Sequence, residues 1–313
     1  MLQYEHMYGI HDIIQFQEQN NGLPMVSRRE LDIACEDLAR FLQEEHFHGN
    51  PDATNITLLM QILREEGWSY FGRYPAQSNL LGGCFEKGGQ FTVLSEDRRK
   101  YEKLQIPAHS ILINKNLYQR EKQFQFRFVL AHEIGHALMH EDFSSSSENM
   151  KEYASGLQIR MDGDEVFTNR QEGRLRSAYD WMEWQANTFA SCLLMPRRLV
   201  MEVTSLVCEL EFECKEGAKQ TDQERKEEAV FLTALQDKLF ADHQLASELH
   251  VTIKDVFRVS ESAAFYRLRS LNLLPEESQL LPSGIVVYWN NRICFRNRVC
   301  EGNYFRHKRP WNT

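Results

Sequence analysis

The chain has 313 residues, 42% of them hydrophobic and 26% charged, with a formal charge of −9 at neutral pH. That length buries a sizeable core, and the composition excludes a wholly disordered chain. The acid excess argues against broad electrostatic attachment to nucleic acid, and the seven cysteines, odd in number and widely spread, argue against a disulfide scaffold.

The chain is expected to be cytoplasmic. Met1-Leu2-Gln3-Tyr4-Glu5-His6-Met7-Tyr8 shows no basic region before a hydrophobic run, and no stretch is long and apolar enough to span a membrane. Residues 1–24 read as a mixed lead-in with a short strand or helix around His11 to Phe16. Ser27-Arg28-Arg29-Glu30 is a capping box that opens a helix to about Leu42. His46 to Asp52 reads as a loop, and Thr54 or Asn55 caps a short helix through Ile62-Leu63. Gly82-Gly83 and Gly88-Gly89 punctuate a region in which Phe91 to Leu94 reads as a strand, and Ser110 to Asn114 as another.

A long apolar helix follows, from Phe124 through His140, and it contains His132-Glu133-Ile134-Gly135-His136. Histidines at i and i+4 point the same way and can share a zinc ion, while the carboxylate between them can work on a water at the metal. Gly135 costs such a helix about 1 kcal/mol relative to alanine, and it lets another element approach closely. The motif predicts a metal-dependent hydrolase, a peptidase first among these.

Catalytic zinc takes three protein ligands and a water. Met139 and Asp142 exclude a third histidine in the HExxHxxGxxH pattern. The other arrangement takes a carboxylate from a second helix, and Leu175 to Met195, stopped by Pro196, reads as one. Glu183 on that helix shares a face with Tyr179, Ala186, Asn187 and Ala190, whose small members permit close packing. Asp180, one turn earlier, is its rival, and an exposed glutamate on an amphipathic helix is the bland alternative.

Two segments then carry a resemblance. Ala131-His132-Glu133-Ile134-Gly135-His136-Ala137-Leu138-Met139-His140 is the first, and Glu183-Trp184-Gln185-Ala186-Asn187-Thr188-Phe189-Ala190-Ser191-Cys192-Leu193-Leu194-Met195-Pro196 the second. Together they resemble the ImmA/IrrE-type metallopeptidases, with weaker similarity at Ile111 to Asn114 and Val259 to Leu271 and an overall extent of roughly residues 25–274. The resemblance implies zinc held by His132, His136 and Glu183, with Glu133 catalytic. It also implies a protein substrate, often a helix-turn-helix repressor, cleaved in regulation or stress response. His140 and Tyr179 are candidates for an oxyanion donor, and Asn187 for a partner behind a ligand. The chain departs from the family in spacing: 46 residues separate His136 from Glu183, including Ser144 to Ser147 and the polar run Met161 to Arg176. That insertion, at about 141–176, is either an ordered flap or a solvated loop.

Beyond Pro196, Arg198 to Leu210 is apolar-periodic, Cys214 to Gln223 is a polar connection and Glu224 to Phe240 is a helix that Ala241 to Glu248 continues after a break. Thr252 to Phe257 and Ser260 to Leu271 resemble a helix-turn-helix, which serves either DNA contact or core packing through Leu268, Leu271 and Leu274. Gly284 to Trp289 reads as a strand, in a hairpin with Ile293 to Phe295. The tail carries Arg292, Arg296, Arg298, Arg306, Lys308 and Arg309 against Glu301. Cys208, Cys214, Cys294 and Cys300 have spacings unlike ordinary zinc ligands, so free thiols are expected over a second metal site.

The expected fold is α+β, mainly helical with a small antiparallel sheet, a thermolysin-like two-helix HExxH…E zinc site and a helix-turn-helix-like end. The expected divisions are a peptidase core over 1–205, a helical region over 206–274 and a short β-rich basic tail over 275–313. The expected activity is that of a zinc metalloendopeptidase acting on a regulatory protein. The alternative is a non-catalytic, metal-containing regulator that binds a repressor or DNA.

Overall fold

The computed structural model describes residues 16, 23–44, 54–77, 79–140, 178–210, 222–275, 278–280 and 286–287. The lead-in around His11, the insertion at 141–176, the 46–52 loop, Cys214 and the basic tail from 288 onward lie outside them, as does the expected pairing with Ile293 to Phe295.

Helix α1 spans Arg28–Glu44 and α2 spans Ile56–Glu65. The capping box at α1 is reciprocal: the Ser27 amide donates to Glu30 Oε2 at 2.7 Å and the Glu30 amide to Ser27 Oγ at 3.3 Å. Leu31, Cys35, Leu38 and Leu42 then fall on one buried face at helical spacing. Asn55, not Thr54, caps α2 by accepting from the Leu58 amide at 3.2 Å. The Thr54 hydroxyl is used over a longer range, donating to the Leu193 carbonyl at 2.6 Å.

Five strands follow: β1 Ser69–Pro75, β2 Gly82–Phe85, β3 Gly89–Leu94, β4 Tyr101–Ile106 and β5 Ser110–Asn114. Their order is β2-β5-β1-β3-β4. The sheet is mixed, which corrects the expectation of an antiparallel one: β1 runs parallel to β5, from Ser69 opposite Ser110 to Arg73 opposite Asn114. The other pairings are antiparallel. Strands β1 and β4 lacked a sequence signal because neither alternates cleanly between buried and exposed residues. Strand β5 is buried at every position, as befits a strand flanked by neighbours.

Two short 3₁₀ turns, Lys115–Tyr118 and Arg120–Lys122, lead into α3, Gln123–Met139. Every residue from Phe128 to Met139 is buried. Such a helix is enclosed on all sides, and α3 lies between the β2–β5 side of the sheet and α4, Ala178–Leu194. A Cβ built on Gly135 would come within 2.9 Å of Phe189 and 3.4 Å of the Ala186 Cα. The glycine is therefore what lets the two helices cross so closely.

The remainder is α5 Arg197–Val207, α6 Asp222–Ala241, α7 His243–Phe257 and α8 Glu261–Ser270, with β6 Gln279–Leu280 paired antiparallel to β7 Val286–Val287. As expected, the helical run resumes after a break, which falls at Asp242. That residue caps α7, accepting from the Gln244 and Leu245 amides. A three-residue turn, Arg258-Val259-Ser260, separates α7 from α8, whose N-cap is Ser260. On α8 only Glu261 is exposed. Arg267 is 1% exposed and donates to Asp32 Oδ1 at 2.6 Å, to the Met195 carbonyl at 2.9 Å and to Cys192 Sγ at 3.3 Å. One continuous apolar core runs from α1 through α8 to Val286. Among the described residues no helix is long and apolar enough to cross a membrane.

Candidate metal centre

The crossing of α3 and α4 brings three side chains together. His136 Nε2 lies 3.0 Å from His132 Nε2, and the two Glu183 oxygens divide between them, Oε2 standing 3.4 Å from His132 Nε2 and Oε1 3.4 Å from His136 Nε2. At a metal–ligand length of about 2.0–2.1 Å and tetrahedral angles, ligand atoms sit about 3.3 Å apart, so these separations are of the size that a zinc ion requires. Among the described residues these three form a group able to hold a metal ion, and Asp180 is not part of it. Both histidines are almost fully buried, and the Glu183 side chain is 19% exposed.

The far nitrogen of each ring is also engaged. His132 Nδ1 is 3.1 Å from Asn187 Oδ1, one turn beyond Glu183 on the same helix. His136 Nδ1 is 2.9 Å from His140 Nδ1, and His140 Nε2 is 2.9 Å from Gln185 Oε1. The stripe 132–136–140 is thus a stack of three imidazoles along α3, with successive ring centroids 4.7 and 5.0 Å apart. Both ring nitrogens of His140 are taken, and the residue lies behind His136. Tyr179 hydrogen-bonds to Glu183.

Glu133 is the remaining member. It is 1% exposed, and its Oε1 has no hydrogen-bond partner among the described residues. That oxygen faces the edge strand β2, where a Cβ on Gly82 would come within 2.5 Å of it. Gly82 is therefore required to be bare for the carboxylate to stand where it does. A buried carboxylate oxygen without a partner costs free energy unless a further group satisfies it. This orphan, beside two converging Nε2 atoms, fits a site completed by a metal and a water.

The electrostatics follow the same geometry. Burial pushes the Glu133 carboxyl up to about 8, with His132 opposing and Glu183 adding to the rise. Burial also acts against the Glu183 carboxylate, but His136 and His132 outweigh it and hold the group well below the usual range. His132 is lowered by burial and raised more by Glu183, Glu133 and Asn187, for a net increase. His136 falls, chiefly through burial. Burial and the neighbouring His136 take His140 down to about 3, so it is neutral at ordinary pH. Burial, then the charge of Glu183, raises Tyr179.

Residues 89–158 match the family model Peptidase M78, IrrE N-terminal-like domain. Over those residues the chain is similar to the ImmA/IrrE family. That segment holds His132, Glu133, His136 and His140, and it ends before α4, so Glu183 enters the site by geometry and not by the match. The family is one of peptidases, which suggests peptidase chemistry and a metal. No curated protein and no solved structure matches the chain.

Three participants escaped the reading of the sequence. Gly82 was marked only as punctuation before a strand. Gln185 was an unassigned position between Glu183 and Asn187. Pro24, whose carbonyl accepts from Gln185 Nε2 at 2.7 Å, lay in the lead-in. Only Gln185 had a usable signal: a polar residue two positions from a ligand on a helix whose other faces are apolar.

Proposed function

We propose that the protein is a zinc-dependent endopeptidase that cleaves an intracellular regulatory protein, a helix-turn-helix transcriptional repressor being the substrate class the resemblance implies. The observation that carries this reading is the triangle of His132 Nε2, His136 Nε2 and the Glu183 carboxylate, with the unpartnered Glu133 oxygen beside it. His132, His136 and Glu183 hold the metal. When bound, zinc supplies Lewis-acid polarisation of the scissile carbonyl and makes water acidic enough to attack near neutral pH.

The chain's own groups do the rest. Glu133 Oε1, unpartnered among the described residues, accepts the proton of the attacking water and passes it to the leaving amine. Asn187 orients His132, and Tyr179 steadies Glu183. The excess of acidic residues favours encounter with a basic partner such as a DNA-binding protein. Direct nucleic-acid contact through α8 is disfavoured, because its Arg267 is committed to Asp32 inside the core and its one exposed residue is acidic.

The test is metal analysis combined with incubation of the chain and the helix-turn-helix proteins encoded beside it. Near one zinc per chain and cleavage that Glu133→Gln abolishes are expected. A biological output that survives Glu133→Gln with metal retained points to the non-catalytic regulator instead. A chain that binds no zinc with His132, His136 and Glu183 intact overturns the site.

A further inference from the structure

The hydrogen bonds behind His136 form a chain whose direction is dictated from its far end. Pro24 contributes a carbonyl, which only accepts, so the Gln185 amide nitrogen must donate to it. That orientation turns Gln185 Oε1 toward His140 Nε2, 2.9 Å away, and an amide oxygen also only accepts. His140 Nε2 therefore carries the proton. Among the described residues no carboxylate hydrogen-bonds this buried ring, and a neutral imidazole protonated at Nε2 leaves its Nδ1 a bare acceptor. His136 Nδ1, 2.9 Å away, must then be the protonated nitrogen of its ring. One lone pair remains on His136, and it sits on Nε2, facing His132 Nε2 and Glu183.

We propose that His140 and Gln185 are positioning residues that fix which nitrogen of His136 is bare and hold that ring toward the metal. The inference rests on the reading of His132, His136 and Glu183 as a metal site, and it extends that reading past the ligands. Ligating histidines commonly donate their second N–H to a carboxylate, carbonyl or water. Here the acceptor is another histidine, itself set by a glutamine that is set by a backbone carbonyl. The two ligands are thus served differently. His132 relies on a single amide from α4, whereas His136 relies on a relay that ties α3, α4 and the strand-like stretch before α1 together. The same stretch is anchored next to the relay: Leu23 is 2% exposed and packs with Met182, Ala178 and Tyr179, on the turns of α4 that precede and hold Glu183. Ligand orientation on one helix is in this way coupled to the seating of the other.

The experiment measures zinc affinity of the full chain by competition with a chromogenic chelator. The absorption bands of the cobalt-loaded chain and the melting of the metal-free chain are recorded alongside. The variants are His140→Leu, His140→Asn, Gln185→Leu and the double His140→Leu/Gln185→Leu. His140→Leu removes the acceptor and is expected to weaken zinc binding about 10- to 100-fold and shift the cobalt bands. His140→Asn returns an acceptor oxygen near the position of Nδ1 and is expected to recover most of the loss. Gln185→Leu touches neither ligand, yet it is expected to weaken binding in the same direction. The double variant should bind no more weakly than His140→Leu alone, because the relay acts through His140. Should His140→Leu lose its melting transition, Gln185→Leu carries the same prediction. Unchanged zinc affinity in Gln185→Leu and His140→Leu overturns the relay, and so does a strictly additive loss in the double variant or a failure of His140→Asn to recover affinity. A wild-type chain that binds neither zinc nor cobalt overturns the metal-site reading itself, and the relay with it.

Discussion

Two clusters of buried polar side chains among the described residues behave in opposite ways. On α8, Arg267 is enclosed and spends its donors on Asp32 of α1, the Met195 carbonyl just past α4 and Cys192 of α4. At the α3–α4 crossing, His132 and His136 direct their Nε2 atoms at one another and at Glu183, and Glu133 keeps an oxygen with no partner among the described residues. The first arrangement is closed, and its polar groups hold elements together. The second is complete only with something added. A buried polar cluster that leaves lone pairs converging is a candidate site, whereas one whose donors meet acceptors is a clamp. His250 belongs with the clamp: its Nε2 donates to the Glu261 carbonyl at 2.8 Å, and no second ligating group joins its other nitrogen among the described residues.

The contrast can be broken by experiment. The largest effect is expected at Glu133. Glu133→Gln should lower peptide hydrolysis about 10²–10⁴-fold, the range of a lost general base, with zinc content unchanged by metal analysis. A variant that loses metal along with activity would make Glu133 part of the metal's support. Next comes the clamp. Arg267→Met should lower stability in denaturant by about 3–5 kcal/mol, because it strands Asp32 inside the core, and a second change of Asp32 to leucine should recover much of that. Zinc affinity per folded molecule should not change, and a selective loss of affinity would mean the two clusters are coupled through α4, which both use.

The pH dependence of the metal-free chain separates the clusters more finely. Burial raises the Glu133 carboxyl from 4.5 to about 8, so the folded state takes up a proton that the unfolded state has already lost. That contribution to stability is full below pH 4.5 and is lost as the pH climbs toward 8. Glu133→Gln should therefore gain stability relative to the parent chain across that window, by denaturant titration in a chelator. A difference that does not vary with pH would contradict the environment assigned to Glu133. The smallest effects are expected at the caps. Ser27→Ala and Asn55→Ala should each cost about 1 kcal/mol and leave zinc affinity untouched.

Much of this was legible locally. The capping box at Ser27, the cap at Ser260 and the end of α4 near Pro196 are short-range matters, settled within a few residues. The i, i+4 spacing of His132 and His136 needs nothing but a helix. Other features were not legible. Strand β1 shows no alternation to read, and nothing local states that it runs beside β5 in parallel. Arg267 looked like any basic residue on a helix-turn-helix-like segment, because its partner Asp32 stands 235 positions away in the chain.

The amino-acid sequence by itself determined which helices form, which of their faces are apolar, and that two imidazoles and a carboxylate share one turn of α3. Hydrogen-bond geometry and side-chain periodicity act over a few residues, so such facts are written in neighbouring letters. Only the tertiary structure decided that Glu183 meets both imidazoles, that Gly82 clears space for Glu133, and that a proline carbonyl at position 24 directs the tautomer of His136. Those facts depend on how close the backbones of α3, α4 and β2 come to one another, and that distance is set by the packing of the whole core around Gly135 and Ala186.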